Sequence, residues 1–259
     1  QVRRYGLMKT CPVGDATNFR FEPLIYEGKL YNRAGNGIRV KDCSDDSLIT
    51  TLTGHTDTVW GLKIRDGKLY SSSSDHTIKI WDCSNDTLIR TLTGHTDPVY
   101  RLEFHDGKLY SSSMDRTIKV WNLSTNQLVK TLTGHTSPIF DLIVNGGKLY
   151  SASGDHTIKV WDLSTNTLIT TLREHTGIVN DLKIHDGKLY SSSDDHTIKI
   201  WNCITNKLIK TLTGHTDVVN DLKIHDGKLY SSSDDNTIKV WDCSDRKLTA
   251  TLEGHTSLV

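Results

Sequence analysis

A Gly-His pair falls at Gly54-His55, Gly94-His95, Gly134-His135, Gly214-His215 and Gly254-His255, and His175 keeps the same register behind Glu174. The interval is 40 residues. Lys-Leu-Tyr recurs in step, ending at Tyr70, Tyr110, Tyr150, Tyr190 and Tyr230. Trp-Asp or Trp-Asn follows at Trp81, Trp121, Trp161, Trp201 and Trp241. A period of this length restricts the chain to a repeat architecture, because one unit alone cannot bury its apolar face and must stack on its neighbours. It also sorts residues by meaning. A residue present once per unit is structural, and function is expected where the copies differ.

Within one unit the signals are those of short antiparallel strands. Thr58-Val59-Trp60-Gly61-Leu62-Lys63-Ile64 suits a largely buried strand. Asp66-Gly67 supplies the positive φ of a tight hairpin turn, and Lys68-Leu69-Tyr70-Ser71-Ser72-Ser73 follows as a second strand. Ser74-Asp75-His76 turns the chain into the β-formers Thr77-Ile78-Lys79-Ile80-Trp81, a third strand. After Cys83-Ser84-Asn85-Asp86 comes a fourth, Thr87-Leu88-Ile89-Arg90-Thr91-Leu92. No helical period occurs. Four strands per unit point to an all-β propeller blade.

These motifs resemble the WD-repeat β-propeller family over nearly the whole chain. The resemblance implies four-stranded blades around a central channel, each repeat giving the outer strand of one blade and three inner strands of the next. It also implies a hydrogen-bonded His, Ser, Asp and Trp in each blade. Carried over, the sets are His55, Ser71, Asp75, Trp81; His95, Ser111, Asp115, Trp121; and His135, Ser151, Asp155, Trp161. His175, Ser191, Asp195, Trp201 and His215, Ser231, Asp235, Trp241 complete them. Buried together, an indole N–H, a hydroxyl, an imidazole and a carboxylate can satisfy one another.

Six blades are encoded, at about 19–52, 59–92, 99–132, 139–172, 179–212 and 219–252, followed by the start of an incomplete copy within 19–259. The first is degenerate: Lys41-Asp42 replaces Trp-Asp, and Val13-Gly14 stands where Gly-His is expected. Residues 1–18 hold Gly6-Leu7-Met8-Lys9-Thr10-Cys11, which resembles an outer strand able to close the ring. Used together, the two ends favour a seven-bladed parent protein; a closed six-bladed ring is the alternative. The start at Gln1-Val2-Arg3-Arg4-Tyr5 has neither an initiating Met nor a signal peptide, as expected of a processed or trimmed chain.

Lysines and arginines number 31, as do aspartates and glutamates, so the net charge of zero argues against a nucleic-acid or anionic-membrane partner. No apolar run approaches the roughly 18 to 20 residues of a membrane-spanning helix. Four of the five cysteines, Cys43, Cys83, Cys203 and Cys243, share one repeat position that is Leu123 and Leu163 elsewhere. A cysteine interchangeable with leucine is an apolar filler. Free thiols in a reducing compartment, cytoplasmic or nuclear, are expected.

Chemistry is sparse. His76, His156 and His196 follow the Asp of the repeated set, and His105, His185 and His225 sit in turns where Arg65 and Asn145 substitute. Separate blades do not readily bring three ligands within about 2 Å of one zinc ion, so no metal and no cofactor are expected. Ser, His and Asp occur together in every unit, but a buried set in five equal copies is not a catalytic triad. No phosphate loop or metalloprotease signature is present, and no enzyme is expected.

The copies differ five residues after each Gly-His histidine: Trp60, Tyr100, Phe140, Asn180 and Asn220. The residues before the repeated Asp also vary: Ser74, Met114, Gly154, Asp194 and Asp234. Blade 3 combines Tyr100, Arg101, Met114 and Arg116, whereas blades 5 and 6 carry Asp181, Asp194, Asp221 and Asp234. The expectation is a dipolar channel-mouth face for a protein or peptide with an apolar anchor and a basic stretch. The resemblance implies a non-catalytic interaction scaffold. Two alternatives stay open: the substrate-recognition domain of a larger enzyme such as a ubiquitin ligase or kinase, and a consensus-like or recently duplicated propeller with no evolved partner.

Overall fold

The computed structural model describes residues 23–255. They form six four-stranded antiparallel sheets, each with its strands in chain order. In blade 2 these are Val59–Arg65, Lys68–Ser73, Ile78–Asp82 and Thr87–Leu92. Blade 1 opens with a three-residue strand, Leu24–Tyr26. The ring-closing strand expected within residues 1–18 lies outside the described residues, as do residues 19–22 of the first blade.

Turn chemistry sets the register. Arg65 pairs with Lys68 across Asp66-Gly67, whose φ values are 49° and 71°. Both central residues of this hairpin turn need positive φ, which Asp tolerates and Gly adopts freely. At the next hairpin end Asp82 accepts the Ser84 N–H at 2.8 Å, and its carbonyl accepts the Asp86 N–H at 2.8 Å.

Two bulges shape each of blades 2 to 6. In blade 2 one lies between Ile80 and Trp81. The other lies between Val59 and Gly61 and takes Trp60 out of the ladder. Blades 3 to 6 shift register at the same place in the first hairpin. A bulge re-aims the side chains on either side of it. Here the bulge residues of blades 2 to 4 meet ring to ring, and the residues after them make hydrogen bonds between blades.

The core lies between blades. Tyr110, Ile118, Val120 and Leu132 of blade 3 pack on Ile139, Leu142, Leu149, Trp161 and Leu163 of blade 4. Corresponding clusters join blades 1 and 2, 2 and 3, 4 and 5, and 5 and 6. Each large aliphatic side chain so buried contributes about 1.5–3 kcal/mol of transfer free energy. Cys83, Cys203 and Cys243 occupy the Leu163 position in their clusters, and none of the three forms a disulfide. The forward face of blade 6 is less covered. Leu252 is 47 % exposed, whereas its counterparts Leu92, Leu132 and Leu172 are buried.

In blade 1, Lys41 stands in place of the tryptophan and binds Asp46 at 2.8 Å. Arg33 donates to the Val59 carbonyl of blade 2 at 2.9 Å.

Candidate functional site: the channel rim and wall

Five hydrogen-bonded sets brace the loops at the channel mouth. His55 meets Asp75 through Nδ1 at 2.7 Å and Ser71 Oγ through Nε2 at 2.8 Å. Trp81 Nε1 donates to the same hydroxyl at 2.9 Å. The His135, Ser151, Asp155, Trp161 set repeats these contacts at 2.7, 2.8 and 2.9 Å. So do the sets built on His95, His175 and His215. A fifth member was not legible in the sequence reading. Thr77 donates both its N–H and its hydroxyl to Asp75 Oδ1, and Thr117, Thr157, Thr197 and Thr237 repeat this. The signal was the invariant Asp-x-Thr spacing.

Burial pushes the His55 imidazole below its ordinary value, with Asp75 working against it. Burial alone would raise the Asp75 carboxyl. Hydrogen bonds from Thr77 and His55 overcome that and hold it below the usual carboxylate range. Each set is therefore a neutral imidazole on an ionised carboxylate. Ser71 is 0 % exposed, so its hydroxyl cannot reach a substrate, and the set works as a brace. The turn histidines His76, His156 and His196 are exposed and left-handed, with φ of 66°, 65° and 64°. Among the described residues no group of three His, Cys, Asp or Glu could hold a metal ion.

At the rim the bulge residues of blades 2 to 4 form a continuous aromatic run. Trp60 meets Tyr100 edge to face at 5.7 Å between centroids, and Tyr100 stacks on Phe140 at 5.8 Å. All three are half-buried, and the neighbouring Met114 is 45 % exposed. Arg116 is exposed beside it in the left-handed turn, φ 68°. The two variable columns are matched within each blade. Trp60 Nε1 donates to Ser74 Oγ at 2.6 Å. Phe140 packs over Gly154, where an added Cβ would lie 3.3 Å from its ring and 2.9 Å from Ser137 Oγ. Asn180 donates to Asp194 at 2.8 Å, and Asn220 pairs likewise with Asp234.

The wall column follows the bulge: Gly61, Arg101, Asp141, Asp181 and Asp221. Asp181 is buried at 1 % exposure, whereas Arg101 and Asp221 are half-buried like Tyr100 and Asp194. The charged residues of this column are largely paired with one another. Arg101 Nε donates to Asp141 at 3.1 Å, and Lys183 Nζ to Asp181 at 2.6 Å. The carboxylates also stitch neighbouring blades. Asp141 accepts the Leu182 N–H at 2.8 Å, and Asp181 the Leu222 N–H at 3.0 Å. Sequence reasoning missed Asp141, although the column was visible as the alternate residue of the same strand. At Gly61 a Cβ would lie 2.7 Å from the Tyr100 carbonyl, so blade 2 carries no side chain there.

Among the described residues no helix is long and apolar enough to cross a membrane. The family model described as WD domain, G-beta repeat matches residues 46–82, 86–122, 126–162, 166–202 and 206–242. The crystal structure of the computationally designed Ika8 protein is similar, with a TM-score of 0.83 and 31% identity, covering 92% of this chain and 75% of that one. No curated protein matches the chain. Five family matches, six four-stranded blades and the His-Ser-Asp-Trp braces agree, and the chain belongs to the WD40 repeat family of β-propellers.

Proposed function

We propose that this propeller is a non-catalytic binding module that takes an extended peptide or protein segment across its channel rim, with an apolar anchor on blades 2 to 4. WD40 propellers generally mediate protein–protein interaction. The observation that favours this face is the aromatic run Trp60, Tyr100 and Phe140, half-buried beside the exposed Met114. Aromatic residues and methionine are the common anchors of interfaces, because they bury much area at low entropic cost. On the far side, Asp194 and Asp234 are half-buried at the rim and fit basic residues of the same segment. Cys83, Cys203 and Cys243, buried and without disulfides, are compatible with a reducing compartment.

A peptide array against the wild-type chain tests this, with Tyr100→Ala and Asp194→Asn beside it. The expected result is about tenfold or greater loss for apolar-anchored peptides with Tyr100→Ala, and selective loss of basic flanks with Asp194→Asn. Unchanged binding in both variants excludes the rim.

A second reading has its own observation. Residues 179–195 and 219–235 are identical, rim and wall positions included. A recently duplicated or consensus-like propeller without an evolved partner has this property. An array with no sequence preference would favour it.

A further inference from the structure

Three aspartates occupy one wall position in successive blades, each just after a bulge: Asp141, Asp181 and Asp221. Asp141 is 6 % exposed and Asp181 1 %. Two cations pair with them among the described residues. Arg101 lies on Asp141, and Lys183 lies 2.6 Å from Asp181 and 3.9 Å from Asp221. No other described cation forms an ion pair with the three aspartates, although Arg33 lies close enough to Arg101 for the two charges to repel. Arg33 donates to the Val59 carbonyl, Lys63 pairs with Glu103 at 2.8 Å, and Lys223 on the first strand of blade 6 is exposed.

The wall cluster thus sets three carboxylates against two cations, in a place where an uncompensated charge is costly. The partners of Asp181 show where the imbalance falls. Its Oδ2 accepts from Lys183 and from the Leu222 N–H. Its Oδ1 is sealed from solvent and has no hydrogen-bond donor among the described residues. Asp221 lies close by: its Oδ1 accepts at 3.0 Å the same Leu222 N–H that Asp181 Oδ2 accepts, and Lys183 faces both carboxylates. Two ionised carboxylates repel at that range; a carboxylic acid facing a carboxylate makes a short, strong hydrogen bond.

We propose that the Asp141–Asp181–Asp221 ladder holds one proton at neutral pH, carried by Asp221 and donated to Asp181, and that this shared proton locks blade 6 to blade 5. The proton comes from solvent, and only an O–H bond forms. Asp221 is the carrier because both oxygens of Asp141 already accept, from Arg101 and from the Leu182 N–H. The cation nearest Asp221 is Lys183, at 3.9 Å.

Burial, and then the neighbouring Asp181, push Asp221 and Asp141 alike up to about 7, with Lys183 opposing at Asp221 and Arg101 at Asp141. Asp181 is held down at about 2 by Lys183, Asp221 and Arg101 against the effect of burial. Because Asp221 is raised in the folded state, its contribution is complete below the ordinary carboxylate value near 4 and is lost as pH rises through about 7. The proposal does not rest on the peptide-binding reading.

Urea denaturation of the full chain and of Asp221→Asn, at pH 6 and pH 8, tests it. The asparagine amide still donates to Asp181 but cannot titrate. The expected result is that the unfolding constant of the wild type rises about tenfold relative to Asp221→Asn over that interval, one pH unit beyond the midpoint being worth a factor of ten. A pH-independent difference between the two overturns the proposal. A slope removed by Asp141→Asn but kept by Asp221→Asn overturns the choice of carrier. Carbon-13 NMR of the wild-type aspartate carboxyl groups decides the matter even if a variant fails to fold. One resonance is expected to titrate near neutrality, and titration of all of them below pH 5 refutes the shared proton.

Discussion

Asp141 in blade 4 accepts the backbone N–H of Leu182 in blade 5 at 2.8 Å, just past the bulge in each of the two strands. The same carboxylate holds Arg101 of blade 3, so one side chain ties three blades. Replacement by alanine leaves a buried N–H and a guanidinium without their acceptor. Asp141→Ala should cost about 2–3 kcal/mol. Asp141→Asn, which retains a carbonyl oxygen for Leu182, should cost less. Denaturant titration of the two variants measures the difference, and equal losses would mean that the Leu182 bond contributes little.

Asp155→Ala removes the acceptor of His135, Thr157 and the Thr136 N–H together. The expected loss is on the order of 1–3 kcal/mol, and a variant as stable as the wild type would contradict the bracing role.

The braces also predict acid sensitivity. The folded imidazoles lie below their ordinary value because burial disfavours the charged form, so their contribution is present above about pH 6.5 and falls as they must protonate below it. The folded carboxylates are depressed, so theirs is lost as pH falls below about 4. In Asp221→Asn, which removes the opposing contribution of the wall carboxyl, denaturant midpoints should decline from pH 6.5 toward pH 4 and more steeply below. Converting Asp155 to alanine should flatten part of that decline.

Gly61→Ala places a Cβ 2.6 Å from Ser72 Oγ and 2.7 Å from the Tyr100 carbonyl. The serine can rotate, but the carbonyl belongs to the next blade. A loss of about 1–3 kcal/mol is expected in thermal or chemical unfolding, the usual range for overpacking.

Cys83, Cys203 and Cys243 are buried, and burial raises each thiol above its ordinary value. Cys43 is only half-buried. Alkylation of the native chain followed by peptide mass spectrometry should label Cys43 well ahead of those three, and brief denaturation should equalise all four.

The period made the blades legible because each strand's signal is local. Asp66-Gly67 demands its turn, and alternating residues such as Ile78 and Ile80 demand a buried face. The repeated His, Ser, Asp and Trp were legible for the same reason, at constant spacing. Thr77 escaped because a threonine at the start of a strand reads as a β-former before it reads as a donor. The pairing within the wall column was not legible because nothing local announces the bulge at Tyr100 and Arg101 or the partner of Arg101 on the next blade.

The amino-acid order by itself determined the strand count, the turns, the blade boundaries and four of the five members of each brace, since all of these depend on contacts within one 40-residue unit. Contacts between units belonged to the tertiary structure alone. It decided that the rim aromatics stack across blades, and that Arg101, Asp141, Asp181 and Asp221 meet along one wall, where two cations among the described residues pair with three carboxylates. The physical reason is that these residues lie about 40 positions apart and meet only after blade packing and the bulges have set their directions.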